Sequence, residues 1–430
     1  MDDTVRKISA DDINPRYNWG RALPALGPMG VDFEERVDYR RLHRYRLSRV
    51  KRALEKSDLG ALLVFDVNNI RYITSTKIGE WERDKLCRWA LLSRDGEPIL
   101  WDFGSAAVHH RLYTPWLKPE NCKAGLIGLR GTVNPAFGLM ERHAKEIASL
   151  LKEAGVPKMP VGVDIIEPPM MFELQKAGLK IADGQQTMLE AREIKNIDEI
   201  ALLNRAAAMV DGAYHLIHEE LKPGVRENDI VGKVNEFLYR HGSDDVEAIN
   251  AISGERCNPH PHNFTDRMLR PGDQAFFDIL QSFMGYRTCY YRTFNVGRAT
   301  AVQHDAYKKA REWLDKAIEM IKPGVTTDKV CKVWPKAQDF GFPDEMSAFG
   351  LQFGHGLGLA LHERPIISRV VSLSHPTEIR EGMVFALETY CPAADGYSAA
   401  RIEEEVVVTD KGHRVITLFP AEQLPISHRY

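Results

Sequence analysis

F-D-I-L-Q-S-F-M-G-Y-R-T-C-Y-Y-R-T-F-N-V-G, from Phe277 to Gly297, is the stretch on which the fold of this chain turns. Two β-rich apolar runs meet at Met284-Gly285-Tyr286, a pattern that predicts a hairpin. Asp278 and Cys289 are then expected to face one another across paired strands. Further along, G-H-G-L-G-L-A-L-H-E-R-P (Gly354 to Pro365) sets His355 and His362 among glycines that let a backbone approach a ligand closely. Glu388 in A-L-E-T-Y and Glu403 in A-R-I-E-E-E-V-V-V-T each put a carboxylate inside an apolar or β-branched run. Burying a carboxylate there is expensive unless something pairs with it, and a metal ion is one such partner.

Working outward, 430 residues exceed one ordinary core and divide naturally into two domains. A hydrophobic content of 44% with 27% charge is that of a soluble globular protein. The net charge of −3 gives no electrostatic reason to expect nucleic acid or an anionic membrane as partner. No apolar run approaches the ~18 residues of a membrane span, and Met-Asp-Asp-Thr-Val-Arg at the start lacks a signal-peptide apolar core, so a cytoplasmic enzyme is expected. The six cysteines are scattered, with no C-x-x-C pair, which predicts reduced, buried thiols. Cys289 is set apart by its neighbours.

Residues 1–35, with prolines, glycines and no periodicity, read as an extended arm. Leu42, Tyr45, Leu47, Val50 and Leu54 recur at helical spacing over Tyr39 to Lys56. Strands are predicted at Gly60–Phe65, Arg71–Thr74, Trp89–Ser93, Pro98–Asp102 and Val161–Asp164, with helices near Phe137–Ala154 and Pro169–Ala177. This makes an alternating α/β domain over 1–190. A second domain, 191–430, opens on helices at Ile197–Leu221 and Glu227–Tyr239. Lys222-Pro-Gly-Val and Lys322-Pro-Gly-Val, each ending a helix, suggest an internal duplication.

The ordered set Asp278, Cys289, His355, Glu388 and Glu403 resembles the aminopeptidase P, prolidase, methionine aminopeptidase and creatinase family of pita-bread metallopeptidases. The resemblance implies an α+β fold class, a pita-bread catalytic domain after a smaller creatinase-like α/β domain. In that family the catalytic domain is a pseudo-twofold duplication with the metal between its halves. Asp278 matches the family's first metal-binding Asp, His355 its histidine, and Glu388 and Glu403 its two glutamates. Cys289 stands where the bridging Asp should be, in G-Y-R-T-C-Y-Y-R-T-F. A thiolate is softer than a carboxylate and offers one donor atom, which suits zinc or iron and disfavours manganese, so one zinc is expected, with iron or manganese as the other divalent metals to consider. Asp278 then either accepts from a ligand or holds a weaker second ion. The competing reading is a plain core thiol in a site that has lost its metal.

S-G-E-R-C-N-P-H-P-H (Ser253 to His262) resembles the family segment in which a histidine lines the substrate pocket, matched by His260 with His262 close behind. His362 matches the family's H-E-x-P histidine. An imidazole titrating near neutrality can take or give a proton. Arg401 is placed to grip a carboxylate by a two-pronged contact, or else to pair with Glu404 or Glu405. Aromatic faces attract onium cations, which makes Tyr286, Tyr290 and Tyr291, with Tyr72, Trp81 and Trp89 of the first domain, candidates for substrate contact against the plain alternative of core packing. Phe65-Asp-Val-Asn-Asn-Ile-Arg-Tyr-Ile-Thr followed by Trp101-Asp is similar to the first domain of dimethylsulfoniopropionate lyases of this fold. That resemblance implies a small-molecule substrate whose α-proton is removed by His362, His260, Tyr291 or Tyr286, with Arg401, Trp81, Tyr290 and His262 as binding residues. The expected activity is a metal-dependent lyase. Alternatives are an Xaa-Pro dipeptidase and a non-catalytic binding protein, and the family implies a homodimer.

Overall fold

The computed structural model describes residues 37–77, 79, 87–126, 131–259 and 261–429. The arm expected over 1–35, Trp81 and His260 lie outside the described residues. The chain divides into two compact units, one of Tyr39–Arg192 and one built on Glu193–Tyr430. Among the described residues no helix is long and apolar enough to cross a membrane.

The first unit has, among the described residues, a mixed six-stranded sheet in the order β4-β3-β2-β1-β5-β6. Its strands are β1 (Ala61–Val64), β2 (Trp89–Ser93), β3 (Ile99–Asp102), β4 (Cys122–Ala124), β5 (Val161–Val163) and β6 (Ile181–Asp183). Helices α1 (Tyr39–Lys56), α2 (Val67–Thr74), α3 (Gly104–Tyr113), α4 (Leu139–Glu153), α5 (Pro168–Lys176) and α6 (Gln185–Arg192) complete the unit. All four residues of β1 are buried, as a central strand covered on both faces requires. Arg71–Thr74, expected as a strand, is instead the end of α2. The Asp66 side chain accepts from the amides of Asn68 and Asn69, and this cap overrides the β-branched composition of the short run. Trp89 is fully buried opposite Trp101, with ring centroids 5.8 Å apart, and the Tyr72 hydroxyl donates to the Ala191 carbonyl. Both belong to the packing of this unit, so the plain reading of these aromatics holds.

The second unit begins with α7 (Ile197–Glu220), opened by a capping box of Asn196 and Glu199, and α8 (Glu227–Arg240). One sheet, ordered β15-β9-β8-β7, contains β7 (Asp245–Ser253), β8 (Gln274–Phe283), β9 (Tyr286–Val296) and β15 (Ile426–Ser427). After α9 (Ala301–Glu319) and α10 (Thr327–Cys331) comes a sheet ordered β11-β10-β12-β13-β14. It contains β10 (Phe353–Gly356), β11 (Glu363–Ile367), β12 (Val384–Pro392), β13 (Ala399–Val408) and β14 (His413–Val415).

The two halves repeat one another at the turns that follow their long helices. Gly224, at φ 92°, donates to the Leu269 carbonyl, and Gly324, at φ 83°, to that of Ile379. Leu269 returns a bond to Val225 as Ile379 does to Val325, each at 2.8 Å. A positive φ at these two turns is why each repeat carries glycine there. Each half lays a long hairpin over helices. Phe277, Ile279, Tyr290 and Phe294 pack with residues of α7, and Phe385, Leu387, Ile402 and Val406 with residues of α9. Each such fully buried side chain contributes about 1.5–3 kcal/mol. Strand alternation therefore turns the intervening residues, Asp278, Cys289 and Tyr291 on one hairpin and Glu388, Arg401 and Glu403 on the other, to the opposite face.

Candidate metal centre

The β8–β9 hairpin closes through a two-residue turn in which Met284 and Gly285 have φ of 49° and 85°. Two positive φ values are those of a type I′ turn, whose twist matches the strands it joins. The register this sets pairs Asp278 with Tyr291 and Leu280 with Cys289. Asp278 and Cys289 are thus diagonal neighbours on one face rather than directly opposite, and Cys289 Sγ lies 3.6 Å from Asp278 Oδ1. On the second hairpin Glu388 and Glu403 are direct partners. His355, on β10 beside β12, reaches the same space. The hairpins are tied where β9 meets β13. Thr293 Oγ1 donates to the Arg401 carbonyl at 2.6 Å, and Arg292 Nη1 donates to that of Glu403 at 2.5 Å.

Five groups proposed from sequence converge here. His355 Nε2 is 3.9 Å from both Glu388 Oε1 and Glu403 Oε1, and Cys289 Sγ is 4.0 Å from Glu403 Oε2. Donor atoms of Cys289, His355 and Glu403 all lie within 4.8 Å of one another. Bonds of about 2.0–2.3 Å to a tetrahedral zinc would set ligand atoms roughly 3.3–3.8 Å apart, so small side-chain shifts would close this set on an ion. His355 Nδ1 lies 2.9 Å from the Gly356 carbonyl, and donating to it leaves the Nε2 lone pair facing the carboxylates. Among the described residues, Nε2 and Glu403 Oε1 are both buried without a hydrogen-bond partner, as atoms waiting for a cation would be.

The electrostatics agree. Burial raises Asp278, Glu388, Glu403 and the Cys289 thiol, and their mutual repulsion adds to the rise for Glu388, Glu403 and Cys289. Burial also lifts Glu405 to about 8, against the hydrogen bonds it accepts from Thr288 Oγ1 at 2.6 Å and Cys289 N at 2.8 Å. Burial, with His362 alongside, pushes His355 down to about 3. Arg401 is the guanidinium in this cluster, bonded through Nη2 to Glu388 Oε2 and, at 2.9 Å, to the Gly350 carbonyl. A divalent cation would relieve the crowding that burial imposes on these acids.

Other candidates fall differently. The His362 ring lies 4.3 Å from that of His355, in a residue that meets solvent on one side while its ring is partly desolvated. His262 lies on a surface loop, where partial burial of the ring and the charge of Arg401 lower its pKa. The ring of Tyr291 packs 4.3 Å from the Arg401 guanidinium. Tyr286 and Tyr290 do not join the cluster. Tyr286 donates to Glu199 at 2.8 Å and Tyr290 to Asp211 at 2.6 Å, because both side chains project from the helix-facing side of β9. Arg401 holds Glu388 through one nitrogen rather than two, and neither extra acid is its partner: Glu404 lies on the other face of its strand, paired with Arg292 and Arg311. Sequence reasoning missed two residues. Asn250 donates to Asp278 Oδ2 at 3.0 Å, and Glu405 backs Cys289. The run Glu403-Glu404-Glu405 held a signal for the second, since period-two alternation puts Glu405 on the face of Glu403.

Residues 201–410 match the model of metallopeptidase family M24. The chain carries an M24 domain. It is 28% identical over 239 residues to the Xaa-Pro dipeptidase of Pyrococcus furiosus, covering 55% of this chain and 66% of that one. To the dimethylsulfoniopropionate lyase DddP of Roseovarius nubinhibens it is 26% identical over 420 residues, covering 95% of this chain and 92% of that one. The structure of an Xaa-Pro dipeptidase from Bacillus anthracis superposes with a TM-score of 0.72 at 21% identity, over 89% of this chain and 99% of that chain. The M24 domain therefore has the expected pita-bread fold, in a chain that mixes helices and sheets throughout.

Proposed function

We propose that this M24 protein is a metal-dependent lyase that removes an α-proton from a small zwitterionic acid and expels a neutral β-leaving group. The leading substrate is dimethylsulfoniopropionate, giving acrylate and dimethyl sulfide. The observation that carries this reading is the donor set around Cys289. Asp278 Oδ2 also accepts from Asn250 and Glu388 Oε2 from Arg401, so one oxygen of each carboxylate is shared with a hydrogen-bond donor. Cys289 contributes one donor atom where a bridging carboxylate would contribute two. Such a set suits one ion, held by Cys289, His355, Glu388 and Glu403 with Asp278 beside them, and it offers one two-atom bridge fewer to a pair of ions sharing an attacking hydroxide. Amide hydrolysis of that kind loses its nucleophile. Elimination does not require one.

The ion, when bound, supplies a Lewis acid that draws electron density from the substrate carboxylate. Arg401 binds and orients that carboxylate, because its Nε and Nη1 are buried without a protein acceptor among the described residues. His362 is the base. Burial lowers its pKa, so the ring is neutral near pH 7 and a ring nitrogen is free to accept a proton. As that proton leaves Cα, its electron pair forms the Cα–Cβ double bond and the Cβ–S bond breaks with its pair on sulfur. Burial raises Tyr291 well above the ordinary phenol value, and Tyr286 is engaged by Glu199, so both suit this step less well. Likeness to the DddP lyase over nearly the whole of both chains supports the substrate class.

A second reading, an Xaa-Pro dipeptidase, is favoured by the fold match and by the Pyrococcus furiosus relative. One experiment separates the two. Zinc-, iron- and manganese-loaded enzyme is assayed for dimethyl sulfide release by gas chromatography and for hydrolysis of Gly-Pro and Ala-Pro. Dimethyl sulfide with little or no peptide cleavage is expected. Peptide turnover at kcat of about 1–10³ s⁻¹ without dimethyl sulfide would establish the dipeptidase instead.

A further inference from the structure

Directly after His362, the side chain of Glu363 turns inward. Its Oε2 lies 2.9 Å from Lys195 Nζ, and each of these side chains is only 1% exposed. Lys195 is itself anchored, its amide donating to the Gly382 carbonyl at 2.8 Å and its Nζ to the Glu193 carbonyl at 3.3 Å. Glu363 Oε1 accepts from the Ala360 amide at 3.1 Å, so the carboxylate fills the inside of the turn that precedes it. A Cβ on Gly358 would come within 2.6 Å of Glu363 Oε2, and one on Gly356 within 2.3 Å of the Arg364 carbonyl. These two glycines thus admit the turn's own carboxylate and backbone, where the sequence suggested room for a ligand. From the hairpin side, the Arg287 amide donates to the Gly358 carbonyl at 2.9 Å, and its guanidinium donates to that of Leu359.

An ion pair removed from water is weak evidence for stability, since desolvation of both charges offsets their attraction, and apolar residues of similar volume often serve at least as well. What such a pair adds is a fixed geometry. We propose that the buried Lys195–Glu363 pair is the positioning element for the His362 imidazole, holding the 357–362 turn so that the ring stays beside His355. The proposal rests on His362 as the base for its catalytic consequence only. The placement of the ring is a separate observable.

The test uses zinc-loaded full-length protein labelled with 15N-histidine, with the His362 ring resonances assigned by comparison with His362→Ala. Lys195→Met and Glu363→Gln are each expected to move those resonances, to lower kcat about 10–100-fold, as a misplacement near 1 Å would, and to leave KM and bound zinc little changed. If a single variant fails to fold because a lone charge is buried, the double variant Lys195→Met/Glu363→Gln carries no such charge and is read in the same way. Unmoved His362 resonances, or a loss of activity that only follows the loss of folded protein or of zinc, would overturn the proposal. Should His362→Ala keep full activity while the variants still move the resonances, the lyase reading loses its base and the positioning role stands.

Discussion

Replacing Cys289 by serine tests the centre most directly. Sγ sits 3.6 Å from Asp278 Oδ1 and 4.0 Å from Glu403 Oε2, in a cluster closed from solvent. A serine hydroxyl is smaller, stays protonated near neutrality and binds zinc poorly. Disturbing a ligand's supporting partner typically weakens metal affinity 10–100-fold, so losing a ligand should weaken it by about 100-fold or more. With zinc held at 100 times the wild-type Kd, the ion stabilises the wild type by about 2.7 kcal/mol, and the variant by only ~0.4 kcal/mol. For a unit of this size, ~2.3 kcal/mol corresponds to a Tm difference of roughly 5–9 °C. The measurement is a zinc titration followed by differential scanning fluorimetry, with bound metal counted by elemental analysis and the metal-free proteins as baseline. Equal zinc stoichiometry and equal zinc-dependent Tm shifts in the two proteins would show that the thiol is not a ligand, and the one-ion argument would go with it.

His362→Ala should lower kcat by about 10²–10⁴-fold with bound metal unchanged, read from steady-state dimethyl sulfide release. Arg401→Lys keeps a charge but loses Nε and Nη1 as donors, and a charged hydrogen bond of about 1.5–3 kcal/mol translates into KM raised roughly 10–100-fold. Gly358→Ala, whose methyl would press on the Glu363 carboxylate, should destabilise the second unit by about 1–3 kcal/mol in urea unfolding. In the first unit, burial raises the Asp102 carboxyl, but its bonds to His110 and Arg88 and the Phe103 amide more than offset this and hold it below its ordinary value of 3.8. Asp102 therefore adds stability that is present above pH 3.8 and is lost as pH falls through the lower folded value. Asp102→Asn should remove that acid-side dependence, and an unchanged pH profile of unfolding would count against it.

The hairpin at Met284-Gly285 and the carboxylates within apolar strands could be read without a structure. Both are local facts, a turn that needs positive φ and charges that burial would penalise unless paired. The twin Lys-Pro-Gly-Val turns were equally legible, since each records the helix end it makes. Arg71–Thr74 was misread because a four-residue β-branched run carries less information than the Asp66 cap before it. How the two hairpins meet was beyond the sequence. That Glu405 stands behind the Cys289 thiol depends on how β9 meets β13, across more than 100 residues of chain. Residue types and their order determined which chemistry is available. Their distances were decided by the packing of two hairpins against one another, which no local segment encodes.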